Sequence, residues 1–109
     1  MKKNRLALSA VLTLIFIAGL FAVGQAAKMR IAMVTDVGGV NDQSFNQSAW
    51  EGLKRAEKDF GAEVAYKESR QDADYSPNME TLTDAGYDLI WGIGFLMGDA
   101  IKETAEINP

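Results

Sequence analysis

The chain of 109 residues has no cysteine, no histidine and only two prolines. Without cysteine there is neither a thiolate nucleophile nor a soft ligand for a metal, and without histidine there is no imidazole to activate a serine or bind zinc. The phosphate loop that ends in Lys followed by Ser or Thr is missing as well. Carboxylates are what remain for chemistry. Glu68, Asp72 and Asp74 form an acidic stretch with the right groups for a hard cation or an acid and base, but such a stretch on a loop ordinarily faces solvent. The sequence therefore gives catalysis little support and implies no cofactor. The missing cysteines are compatible with an oxidising compartment without requiring one.

Positive charge is also scarce. Lys and Arg number 11 against 15 Asp and Glu, for a net charge of −4 at pH 7. Three of the basic residues, Lys2, Lys3 and Arg5, crowd the first turn of sequence, so the remainder is clearly acidic. Nucleic acid and anionic membrane are poor partners for such a surface. Lys54, Arg55 and Lys58 fall among Glu51, Glu57 and Asp59, the mixture of a solvated helix face.

The one long apolar run, Leu6 to Val23, follows that basic start and leads into Gly24-Gln25-Ala26-Ala27. This is the pattern of an export signal over residues 1–27, with cleavage after Ala26 or Ala27. An uncleaved anchor is the competing reading, because the run is nearly long enough to span a bilayer of about 30 Å of hydrocarbon. Ser9, Thr13 and Gly19 weaken a span, and the small residues that follow favour cleavage. About 80 residues then remain, enough for one small core.

Those residues divide into three strand-then-helix units. The first has a strand at Met29 to Thr35, a near-continuous apolar run suited to burial on both faces of a sheet. Its helix is expected from Ser44, with Ser44 and Gln47 at capping-box spacing, Ala49, Leu53, Ala56 and Phe60 along one apolar stripe, and Gly61 as the stop. The second has a strand at Glu63 to Glu68, a polar loop from Ser69 to Tyr75, and a helix capped by Ser76 with Pro77 at its first position. Met79, Leu82 and Ala85 form its apolar face and Gly86 ends it. The third has a strand at Tyr87 to Trp91, a turn through Gly92 to Gly98 and a helix holding Ala100, Ile101 and Ala105. The chain stops at Asn108-Pro109, where a helix ends and another strand is due, so we expect a truncated chain. The fold class is α/β, three strand-helix units of a parallel sheet with no internal domain boundary between Met29 and Pro109. Asp36 to Phe45, Ser69 to Tyr75 and Gly92 to Gly98 should then open on one rim.

On that rim the run from Thr35 to Gly52 is the most informative. A carboxylate, amides, a hydroxyl and one aromatic ring stand where an open α/β sheet binds small molecules, so it reads as a receptor for a small polar ring-bearing molecule. Phe45 beside a helix start can stack on a planar heterocycle, or it can be a hydrophobic staple packed under its own helix. Asp36, just past the strand, can accept hydrogen bonds from a ligand's ring N–H or amino group, or it can close an Asx-turn. Ser44 is accounted for by capping. Asn46 stands between ligand contact and solvation of the helix start, and Asn41 and Asp42 read as turn residues. Gly92, Gly94 and Gly98 suggest a dinucleotide loop, but the spacing is one residue too long and Asp99 would repel a pyrophosphate. Gly94 reads better as a place where backbone approaches a ligand closely, with Phe95, Leu96 and Met97 covering the pocket or packing on a further lobe.

Thr35-Asp36-Val37-Gly38-Gly39 with Asp42-Gln43-Ser44-Phe45-Asn46-Gln47-Ser48-Ala49-Trp50-Glu51-Gly52 resembles the start of the mature basic membrane protein family, in the branch of purine nucleoside receptor lipoproteins. Tyr87-Asp88-Leu89-Ile90-Trp91-Gly92-Ile93-Gly94-Phe95-Leu96-Met97-Gly98 is similar to a second loop of that family, and the resemblance covers Met29 to Pro109. It implies that residues 28–109 are the incomplete first lobe of a periplasmic-binding-protein type I fold, its C-terminal part and second lobe missing. It also implies a ligand-capturing component of an ABC-type importer for purine nucleosides, closing two lobes by a hinge and delivering to a permease in the inner membrane. Phe45 matches the residue placed against the purine ring, and Asp36 matches a base contact. The expected ligand-binding set is Asp36, Phe45, Asn46 and Gly94. The family's lipid anchor needs a cysteine, which this chain lacks, having Gln25 after Gly24; a periplasmic or cell-envelope location without a lipid is expected. The alternatives are a receptor for another polar solute such as a sugar, a dinucleotide-binding enzyme fragment, or a remnant that binds nothing.

Overall fold

A computed structural model describes residues 26–109. The export signal expected over residues 1–27 lies, apart from Ala26 and Ala27, outside the described residues. Strand β1 (Arg30–Thr35) is followed by helix α1 (Phe45–Phe60), β2 (Glu63–Lys67), a 3₁₀ turn (Asp72–Asp74), α2 (Tyr75–Asp84), β3 (Leu89–Ile93), a second 3₁₀ turn (Phe95–Met97) and α3 (Gly98–Ile107).

The apolar run of β1 takes the centre of the sheet. Both partners lie parallel to it in the order β2-β1-β3, with Ala32 opposite Ala65 on one side and Ile90 on the other. A parallel strand must be covered on both faces by its crossover helices, and Ala32, Met33, Val34 and Thr35 are all fully buried. Ala32 and Val34 pack with Tyr75, Met79 and Leu82 of α2, with Ala100 of α3, and with Met97 just before it. Pleating turns Met33 to the opposite face, where α1 lies and Leu53 is buried. On that side Trp50 meets Tyr66 of β2 edge-on at 4.8 Å.

The three-unit α/β order is as the sequence implies, and the differences are local. The third strand begins at Leu89 rather than Tyr87, because Tyr87 and Asp88 close the sheet's far end. The Asp88 amide donates to the Arg30 carbonyl at 2.8 Å, and the Arg30 amide donates to the Asp88 carboxylate at 2.7 Å. The Arg30 guanidinium lies over the Tyr87 ring at 4.4 Å, pairs with Glu63 at 3.0 Å and donates to the carbonyls of Ala85 and Gly86. Helix α2 begins at Tyr75, ahead of the expected Ser76 cap, and Pro77 lies within its first turn. The start is drawn back because Tyr75 is only 2% exposed and the Asp74 carboxylate accepts from the Arg70 amide at 2.9 Å, winding the preceding turn. Ala85 falls outside the helix and is exposed, whereas Met79 and Leu82 are buried as expected.

Gly61 stops α1 in the left-handed region at φ 70°, its amide bonded to the Glu57 carbonyl. Phe60, expected in the apolar stripe, is 86% exposed, because it is the last residue before the chain turns away at Gly61. In α3 the buried residues are Ala100 and Thr104. Ile101 is partly exposed and lies across Gly92, where a Cβ would stand 2.6 Å from its Cδ1. Gly92 is thus the residue that lets α3 approach β3.

Candidate functional site

With β1 in the middle and its successors on opposite sides, the chain reverses direction across the sheet between β1 and β3. Outside the C-terminal ends of those two strands lies the crevice where open α/β sheets take ligands. Here it is a concavity of about 530 Å³ lined by Asp36, Phe45, Gly92, Ile93, Gly94 and Phe95. That volume lies in the range of small-molecule sites.

The structure brings together Asp36, Phe45 and Gly94 on this surface and sets Asn46 behind them. Asp36 Oδ1 accepts from the Gly38 amide at 2.9 Å, so the Asx-turn considered for it is present. The same oxygen accepts from Asn46 Nδ2 at 2.7 Å, and Oδ2 lies toward Gly94. Gly94 has φ +134°, and a Cβ built on it would stand 2.9 Å from Asp36 Oδ2. No L-residue is at ease in that conformation, so glycine here serves both the turn and the close passage of backbone past the carboxylate. Asn46, expected among the ligand contacts, is completely buried and reaches the cleft only through Asp36. Burial follows from its place on the inner side of the first turn of α1.

The residue that caps α1 was misassigned by spacing. Ser44 makes no side-chain capping bond, and Gln47 bonds forward to Glu51 at 3.1 Å instead of reaching back. Asp42 does the work from two residues upstream. Its Oδ1 accepts from the Ser44 and Gln47 amides at 2.8 and 3.0 Å, and its Oδ2 from the Asn46 amide and side chain at 3.1 and 3.0 Å. To bring Asp42 over the helix end, Gln43 takes φ 54°; among the described residues it is the single non-glycine in the left-handed region. Desolvation pushes the Asp42 carboxyl upward, but the donors from Gln47, Ser44 and Asn46 outweigh it and hold the group below its ordinary range. The available signal was that Asp caps helices as well as Ser does, and that a carboxylate satisfies several amides at once.

Phe45 is not a staple. It is the first residue of α1, 69% exposed, and stands edge-on to Phe95 with ring centroids 6.5 Å apart and an interplanar angle of 78°. Of the run expected to cover the pocket, Phe95 and Leu96 are exposed and Met97 is wholly buried.

The second loop opens on the same edge of the sheet as expected, but on the β2 side, where it braces the first loop and does not line the cleft. Glu68 Oε1 accepts from the Val40 amide at 2.8 Å, and the buried Ser69 donates its amide to Thr35 Oγ1 at 3.4 Å. Asn78 of α2 holds the same stretch through the Glu68 carbonyl and Ser69 Oγ. Glu68 and Asp74 are thus engaged locally, and among the described residues no group of three acidic residues could hold a metal ion. Burial, with the charge of Asp72 nearby, raises the Tyr75 hydroxyl above its usual range. Asn46 Oδ1 and Tyr75 Oη are buried without a hydrogen-bond partner. The surface that results offers one carboxylate oxygen, two exposed phenyl rings and close backbone, a set suited to holding a flat polar ligand. Among the described residues no helix is long and apolar enough to cross a membrane.

Comparison with known proteins gives the family and the fold. Residues 29–109 match the model of the Bmp family, described as ABC transporter substrate-binding protein PnrA-like. Over 84 residues the chain is 48% identical to the CD4+ T-cell-stimulating antigen of Listeria monocytogenes, a match covering 72% of this chain and 24% of that protein. The ABC transporter nucleoside-binding protein BmpA of Lactococcus lactis is 44% identical over 85 residues, 74% of this chain and 24% of the relative. An ABC transporter solute-binding protein from Aeropyrum pernix superposes with a TM-score of 0.66 at 30% identity, over 72% of this chain and 22% of that one. The chain thus spans about a quarter of the length of the curated relatives it matches.

Proposed function

The chain belongs to the Bmp family of PnrA-like ABC transporter substrate-binding proteins, and from that premise we propose that it captures a purine nucleoside or a closely similar small polar ligand for an ABC-type importer. The observation that carries the reading is an exposed Phe45 ring beside a carboxylate fixed from behind, at the point of the sheet where such folds bind ligands. The base stacks on Phe45, Asp36 Oδ2 accepts from a ring N–H or amino group, and Gly94 allows the ligand to approach the backbone. Asn46 acts through Asp36, as a positioning residue.

In this reading residues 1–27 direct export to the periplasm or cell envelope, and the permease partner lies in the inner membrane. Residues 28–109 are the front part of the first of two lobes, a reading supported by the share of the relatives' length that the chain matches. One lobe offers half of a two-lobed pocket and none of the closure energy, so affinity is weak.

The test is a titration of the isotopically labelled 109-residue chain with inosine at millimolar concentration, following the Gly38 and Gly94 amides by NMR. Inosine should shift both, ribose should neither shift them nor compete, and Phe45→Ala should abolish the effect. Rim amides that ignore inosine, or a Phe45→Ala variant that responds like the parent, would overturn the assignment.

A further inference from the structure

Phe45 has a neighbour to which the nucleoside reading gives no role. Phe95 is 96% exposed, yet its mount is built. The Met97 amide closes the 3₁₀ turn on the Gly94 carbonyl at 3.2 Å, Met97 is wholly buried in the core, and Gly94 is wedged against Asp36. A ring held out into water from so fixed a base, and lining the cleft, has its contact still to make. Exposure alone does not mark it. Phe60 is 86% exposed too, but it stands at the opposite end of α1 and lines no cavity with the site residues, and Leu96 is exposed outside the lining of the cleft.

We propose that Phe95 is the second aromatic wall of this cleft and the residue that selects two-ring over one-ring heterocycles. The proposal rests on the nucleoside reading above. With the two phenyl rings at 78°, a plate laid flat on Phe45 stands nearly perpendicular to Phe95, the edge-to-face arrangement that aromatic pairs favour. A single six-membered ring covering Phe45 satisfies that face alone. A fused second ring lengthens the plate in its own plane by one ring width and brings its rim to Phe95. Phe45 therefore supplies affinity common to every flat base, and Phe95 supplies the difference between purine and pyrimidine.

The experiment is an NMR titration of the full 109-residue chain, with inosine and with uridine as probes, in the parent, Phe45→Ala, Phe95→Ala and Phe60→Ala forms. The parent should prefer inosine to uridine by about tenfold, Phe95→Ala should weaken inosine to the level of uridine while leaving uridine within about twofold, and Phe45→Ala should abolish the response to both. Phe60→Ala should match the parent. If Phe95→Ala leaves the inosine-to-uridine ratio unchanged while Phe45→Ala still abolishes binding, the selective role of Phe95 is overturned and the nucleoside reading stands. If neither nucleoside shifts the Gly94 amide of the parent, both fall together.

Discussion

Asn46 and Asp36 are ten residues apart in sequence and 2.7 Å apart in space, and the bond between them fixes the carboxylate of the cleft. The donor also bridges to Asp42, so one buried amide group holds two acidic side chains whose charges would otherwise drive them apart. Replacing it with an apolar residue of similar volume, Asn46→Leu, leaves both acceptors short of a donor and should destabilise the chain by about 1–3 kcal/mol, read from urea unfolding. Asn46→Asp should be worse at neutral pH and recover on acidification, because it adds a third carboxylate to the pair. A stability unchanged in both variants would remove Asn46 from its positioning role.

Asp42 gives stability an acid limb. Its carboxyl lies below the ordinary value of 3.8 in the folded chain, so the unfolded chain takes up the proton first as pH falls. The contribution is complete above the unfolded value and disappears as pH drops through the folded one. Asp42→Asn should therefore lower the urea midpoint at about pH 7 and bring the two chains closer together at about pH 2. Asp74, held below its ordinary range chiefly by the Arg70 amide, adds a limb of the same sign, so the variant should keep part of the slope. Parallel profiles for the two chains would show that Asp42 titrates alike folded and unfolded.

Two glycines of the third loop should respond differently to alanine. Gly94→Ala forces an L-residue to φ +134° and drives a Cβ into Asp36, a strain of about 1–3 kcal/mol with displacement of the carboxylate. Gly92→Ala meets instead the flexible ends of Ile101 at 2.6 Å and Met79 at 2.9 Å. Its cost, about 1–3 kcal/mol of overpacking, should be partly recovered in the double variant with Ile101→Val. The check is a thermodynamic cycle by urea unfolding, in which strict additivity would refute the contact.

Phe60→Ala should change stability by no more than about 0.5 kcal/mol despite the size of the side chain removed, since the ring is already in water. A larger loss in thermal unfolding would mean that the ring is covered in solution.

The fold was legible because its signals are carried by composition along each segment. A run such as Ile31-Ala32-Met33-Val34 has few alternatives to a buried central strand, and Gly61 and Gly86 stop helices wherever the chain must turn left-handed. Helix starts were less legible, because a cap is decided by which polar side chain bends back in three dimensions. Ser44 and Asp42 are both good caps in one dimension; only the left-handed turn at Gln43 brings Asp42 over the amides. Phe60 shows the complementary failure, a residue in phase with the apolar stripe that the chain leaves behind at Gly61. In the site, Asp36, Phe45 and Gly94 were legible through resemblance to the family and by their place after strands. Phe95 was legible as one of the residues covering the pocket, whereas the bracing role of Glu68 needed the strand order, which sets the second loop behind the cleft.

The Arg30 clamp closes the end of the sheet away from the cleft. One guanidinium ties the start of β1 to Glu63, to Tyr87 and to the carbonyls that end α2, so the three strands are registered against one another at the edge opposite the cleft. The same strands thus have one end clamped for alignment and the other open as a cleft. Substitutions around the cleft therefore leave the clamp that aligns the strands untouched, so the lining of the cleft can vary while the sheet keeps its register.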